Sequence, residues 1–243
     1  MSRREQIRTR RAQEQRKQNL TIVGILAIAA VLIVGILFWQ DIRDAIMPQE
    51  PVVQPLAMTI DPEMIDGKNY GPEDAKVVVR EFADFQCPYC GLVAASITPI
   101  IKQEFIDTGA SVRLEFRHFI VVDPIASGGE SRSAAEASEC AVDQGKFWEF
   151  HNYVFANQDG ENRGGFRETR LRQIAGSAGL DLTAYDTCMS SNSTAQRVRD
   201  NETEAQQLGL NSTPTLLING QRVENPLDYD AVRQAIQVAL AAP

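Results

Sequence analysis

The sequence predicts an α/β fold with an all-helical insertion, preceded by one N-terminal transmembrane helix. Three observations carry that expectation. A run of 20 residues without a charge, Leu20 to Trp39, stands near the start of the 243-residue chain. Short apolar runs of strand character flank a helical stretch between residues 76 and 122, and another precedes a helix near the C-terminus. Between them, from about 130 to 209, the apolar spacing is helical almost throughout.

The first 19 residues form a basic tip, with Arg3, Arg4, Arg8, Arg10, Arg11, Arg16 and Lys17 against Glu5 and Glu14. The tip carries +5 in a chain of net charge −8, so the remainder carries −13. An acidic remainder repels phosphate backbones, which sets nucleic acid aside as a partner. Residues 20–39 are about long enough to cross a ~30 Å hydrocarbon core as a helix, which makes the lipid bilayer their expected partner. Basic residues before this run, and Asp41 and Asp44 after it, put the N-terminus in the cytoplasm and everything beyond Gln40 outside. A cleaved signal peptide is the alternative. The run exceeds the usual apolar region of such a peptide, and no A-x-A-like site follows it before Gln40. Residues 40–66, with Pro48, Pro51, Pro55 and Pro62, read as an extracytoplasmic linker, so the folded domain is expected over 67–243.

Within that domain, Lys76 to Ala83 is an apolar run of the kind that makes a buried strand. Cys87 to about Thr108 has helical spacing through Leu92, Ile97, Ile100, Ile101 and Phe105, and Pro99 should kink it. Ser111 to Val122 reads as a second strand. Helices are expected over 131–144, around Phe147 to Val154, and over 167–178, 181–190 and 194–208. Thr215 to Asn219 is a further strand, and Asn219–Gly220 is a hairpin signal. A last strand at 221–223 and a helix from Asp228 through Leu240 complete the order.

The chemistry concentrates at Cys87–Pro88–Tyr89–Cys90, directly after a strand and at the start of a helix. Two intervening residues bring the sulfurs within disulfide reach on the first turn. Cys87 sits where unpaired N–H groups and the positive end of the helix dipole favour a thiolate, so it is the expected attacking sulfur, solvent-facing. Pro88 suits the first turn, where its missing N–H is no loss. Cys90 lies one turn inward and would resolve a mixed disulfide. One such pair is half a zinc site, and His118 and His151 show no metal spacing, so neither a metal nor a cofactor is expected.

The stretch from Glu81 to Cys90, the segment Gly145 to His151 within the helical block, and Ser212–Thr213–Pro214–Thr215–Leu216–Leu217 together resemble DsbA-like thioredoxin-fold thiol:disulfide oxidoreductases. The resemblance spans about residues 66–240. It implies a thioredoxin-like fold with a four-helix-type insertion. It also implies a cis Pro214 beside the cysteine pair and a Thr213 backbone that binds substrate. Glu81 matches the family's buried acid, which moves protons to and from the inner cysteine; the competing reading pairs it with Arg80 at a sheet edge. The dipeptide is Pro-Tyr, where the strongest oxidases of the family have Pro-His.

Cys140 and Cys188 both fall in the helical block. If Cys87 pairs with Cys90, these two are left for each other, and outside the cytoplasm a structural disulfide is expected. Two buried thiols or a second redox pair are the rival readings. The function expected from all this is an extracytoplasmic dithiol oxidase of a bacterial cytoplasmic membrane. It would act on exported proteins and be reoxidised by a membrane quinone-linked oxidase. A reductase or isomerase of the same fold is the alternative, and a non-catalytic module binding copper or an apolar partner is another.

Overall fold

The computed structural model describes residues 22–26, 28–35, 38–39, 51–123, 129–191 and 193–243. The chain separates into two compact units, Met1–Pro51 and Val52–Pro243. In the first unit, residues 22–26 and 28–35 are helical, with Ile22, Val23, Ile25, Leu26 and Ile28 exposed. Among the described residues no helix is long and apolar enough to cross a membrane. The basic tip, parts of Leu20 to Trp39 and most of the expected linker lie outside the described residues.

The second unit is built on a mixed sheet. Its strands are β1 (Ile65–Asp66), β2 (Asn69–Tyr70), β3 (Val77–Ala83), β4 (Val112–His118), β5 (Thr215–Ile218) and β6 (Gln221–Arg222). They lie in the order β1-β2-β4-β3-β5-β6, with β3 parallel to β4 and every other pair antiparallel. β3 is therefore central, and its near-continuous apolar run is buried on both faces. The parallel β3–β4 pair needs a crossover, and the helical stretch 88–106, here α1, supplies it.

α1 is not uniform. It passes through α-helical Pro88–Leu92, a π turn over Val93–Ile97, α-helical Thr98–Ile101 and a second π turn over Lys102–Ile106. Pro99 has no N–H to give the preceding turn, and the chain answers by widening just before it, where Thr98 N–H bonds to Val93 O. The expected kink thus takes the form of a local change of pitch.

Between β4 and β5 lie α2 (Glu130–Val142), α3 (Phe147–Ala156), α4 (Glu168–Ser177), α5 (Leu182–Ser191) and α6 (Ala195–Gln207). These are five helices among the described residues, as the periodicity indicates, where the resemblance implies a four-helix type. The last helix, α7 (Tyr229–Ala241), starts at Asp228, whose carboxylate accepts from the N–H groups of Asp230 and Ala231. Sheet and insertion share one core. Phe85 stacks on Phe116 at 5.4 Å, and Phe147, His151 and Phe155 close round them. Packing of this kind supplies most of the apolar burial that stabilises the fold.

The seam between sheet and insertion is also ionic. Buried Glu139 accepts from Lys68, approaches His118 Nε2 at 3.1 Å and pairs with Arg197 at 3.2 Å. The folded unit begins earlier than the sequence pattern suggests. Val52, Leu56, Met58 and Ile60 pack against the core, and Ile65–Asp66 pairs with β2 in a hairpin turned by Gly67 at φ +59°. Each strand of that hairpin is two residues long, too short to show an alternating pattern.

Candidate active site

The site is assembled where β3 runs into α1. The turn Asp84–Phe85–Gln86 is buried, and its polar groups are paired. Asp84 accepts through one oxygen from Gln86 N–H and through the other from the N–H groups of Val121 and Val122, all at 2.9 Å. The Gln86 side chain accepts from Asn162 N–H at 2.6 Å and donates to Asp123 and Ser131. Two loops and the first turn of α2 thereby converge on the residues that precede Cys87.

Cys87 caps α1 with extended backbone, and Pro88 occupies the first helical turn. Both Cys87 and Cys90 are free thiols. Cys87 is 6% exposed and Cys90 is fully buried. Cys87 is thus less open than expected for a solvent-facing sulfur. It is covered because its Sγ packs against the loop before β5, 3.5 Å from Thr213 O. Its neighbour Tyr89 is 59% exposed and marks where the site meets solvent.

The two sulfurs are electrostatically unlike. A hydrogen bond from the Cys90 thiol draws Cys87 down from 9.0 to about 6, against the opposing effect of burial. The Thr213 side chain and the N–H groups of Cys90 and Tyr89 add to that lowering. Cys90 goes well above the ordinary thiol value, first because it is buried, then through Cys87 and the charge of Glu81. At neutral pH Cys87 is a thiolate and Cys90 a thiol.

Glu81 lies on central β3, opposite Phe116 on one side and Leu216 on the other. It is buried, and its Oε1 has no hydrogen-bond partner in the described structure. Burial, followed by repulsion from Cys87, raises it from 4.5 to about 8. Arg80 is engaged with Glu115 and Glu204, so the sheet-edge pairing of Glu81 with Arg80 is not what the fold contains. The Thr213–Pro214 bond is cis. Glu81, Cys87, Cys90 and the Thr213–Pro214 loop thus come together at one end of the sheet. Cys140 and Cys188 do not join them. They form a disulfide from α2 to α5, with Cα atoms 5.8 Å apart. Such a pair, with a buried carboxyl of raised proton affinity close by, can exchange with a bound disulfide as a dithiol, or with bound thiols once oxidised, and hold the proton that moves with it.

Gln158 adds a further hold on this turn, donating to Phe85 O. The sequence carries no signal for these long-range contacts of Asp84, Gln86 and Gln158, whose partners are 37 to 76 residues away.

Comparison with known proteins agrees with this geometry. The model of the thioredoxin family matches residues 64–238. The chain is 34% identical to the Na(+)/H(+) antiporter NhaA 1 of Mycobacterium sp. strain KMS, over 91% of this chain and 34% of that protein. It spans about a third of the length of the curated relatives first matched. It is 27% identical to the probable disulfide bond formation protein D of Bacillus anthracis, over 91% of this chain and 97% of that one. Among solved structures it is similar to BdbD from Bacillus subtilis in its oxidised form. There the TM-score is 0.66 and the identity 26%, with 78% of this chain and 100% of that one covered. The chain belongs to the thioredoxin family.

Proposed function

We propose that this chain is an extracytoplasmic dithiol oxidase, tethered by residues 20–39 to a bacterial cytoplasmic membrane, that introduces disulfides into exported proteins. The observation that carries the direction is the contrast between the two sulfurs. A Cys87 held near 6 stabilises the reduced pair, and a stabilised reduced pair makes its disulfide a stronger oxidant.

In this reading a substrate thiolate attacks Cys87 Sγ of the Cys87–Cys90 disulfide. The S–S bond breaks, and Cys90 leaves with the electron pair. Its high proton affinity draws a proton, and the raised proton affinity of Glu81 supports that residue as the donor. A second substrate thiolate then attacks the substrate sulfur of the mixed disulfide and expels Cys87 as thiolate. Two substrate thiols become a disulfide, and the enzyme pair takes up two electrons. A membrane quinone-linked oxidase removes them. The cis Pro214 loop, with Thr213 O beside Cys87, is the surface against which the substrate backbone would lie.

The equilibrium potential of the pair against glutathione tests the direction. An oxidase should fall near −120 mV rather than near −270 mV, a value typical of a reductase. The lower value would turn the proposal to the reductase reading.

A further inference from the structure

α3 ends at Ala156, and the two residues after it each take hold of a distant backbone. Asn157 N–H still bonds back to Tyr153 and Val154. Its side chain is buried, accepting from Val53 N–H at 2.8 Å and from Arg170 at 3.0 Å while donating to Val53 O at 3.1 Å. Held on both edges of its amide, this residue fixes the start of the following loop.

Gln158 comes next and points the other way, into the redox turn. Its Nε2 donates to Phe85 O at 2.6 Å and to Cys87 O at 3.1 Å. Those carbonyls stand on either side of Gln86, so one amide spans the segment that carries the chain from β3 into the cap of α1. The same Cys87 carbonyl receives the first helical bond, from Gly91 N–H at 3.2 Å. The Gln158 Oε1 lies against Gly91, so closely that a Cβ there would sit 2.4 Å from it. Gly91 is needed for room, since its backbone is not in the left-handed region.

We propose that Gln158 is a positioning residue of the redox centre, holding the turn that presents Cys87 to the N–H groups of α1. The physical reason is angular. A thiolate gains from N–H groups only when it lies along their direction, and Cys87, as the cap, is half outside the helix. Two hydrogen bonds from a side chain itself seated beside a bolted residue fix the cap's carbonyl, and with it the direction of the Cα–Cβ bond.

This inference rests on Cys87 being the attacking sulfur, and the test separates the two. In the reduced full-length chain, the alkylation rate of each thiol is followed against pH, with mass mapping to assign the site. Gln158→Leu keeps the bulk and removes the donor. Its Cys87 midpoint should rise by about one unit, the tenfold change in thiolate stability that one neutral hydrogen bond supplies. A folded Gln158→Leu chain with an unmoved midpoint overturns the inference, because a residue of merely structural value would leave that profile alone. Should that variant fail to fold, Gly91→Ala pushes the amide off its carbonyls while leaving Gln158 in place. The same rise is expected, and an unmoved midpoint is again decisive against it. If Cys90 titrates below Cys87 in the unaltered chain, the assignment of the attacking sulfur fails instead.

Discussion

The chain holds two cysteine pairs that differ in almost every physical respect. Cys87 and Cys90 share the first turn of one helix, free as thiols, with a lowered and a raised proton affinity. Cys140 and Cys188 lie 48 residues apart and join two helices of the insertion. Glu81 and an unpaired helix start face the first pair. The second closes a long loop and, among the described residues, has no comparable charge partner, apart from Asp143 at 3.8 Å from Cys188 Sγ. A reactive pair needs asymmetry between its sulfurs, whereas a structural pair needs only chain length between them.

The largest effects should come from the first pair. Cys87→Ser is expected to abolish oxidation of a reduced protein substrate. Cys90→Ser should leave the attacking thiolate, which opens a disulfide-bonded substrate and holds it as a mixed disulfide, visible on non-reducing gels. Trapping by Cys87→Ser instead would reverse the two roles.

Replacing Cys140 and Cys188 together by alanine should cost about 4 kcal/mol of stability on the chain-entropy account. Denaturant titration reads that loss, and the alkylation profile of Cys87 should not move with it. A shift in that profile would mean that the two pairs are coupled and the contrast drawn above is too sharp.

Acid should act on the seam beside the second pair. Burial holds His118 and His151 down from 6.5 to about 4. The unfolded chain binds protons at these positions before the folded chain does. Stability is therefore full above pH 6.5 and falls as pH drops toward 4, by on the order of 3 kcal/mol for each histidine. Urea midpoints between pH 7 and pH 4 check this. His118→Gln should flatten the curve, and an unchanged slope would remove His118 from the account.

The most specific effect belongs to Glu81. Its raised proton affinity means that stability from this group is present in full below pH 4.5 and is lost as pH rises through about 8. Glu81→Gln should stabilise the fold at pH 7, by up to about 3 kcal/mol, while slowing turnover about tenfold. Slower turnover together with lost stability would make Glu81 a structural residue.

Much of this contrast is legible in the sequence. The strand before Cys87, the helix after it and the helical block announce themselves by period, because each buries a continuous face. Glu81 and Thr213–Pro214 are legible only through the family they resemble. The near burial of Cys87 is not legible, since the loop that covers it is 126 residues away. Nor is the docking of Val53 and Leu56. Their partners are the side chain of Asn157, just beyond α3, and the backbone carbonyl of Asn152 within it, and the apolar spacing of that helix says nothing of what either holds.

On the proposed function, the Cys140–Cys188 bond makes this protein a member of its own clientele. A newly exported copy arrives with four thiols and, on the proposed function, requires the very reaction that finished copies perform. Its maturation would then be seeded, each completed molecule converting others, and the rate at which the population becomes competent would depend on how much of it already is.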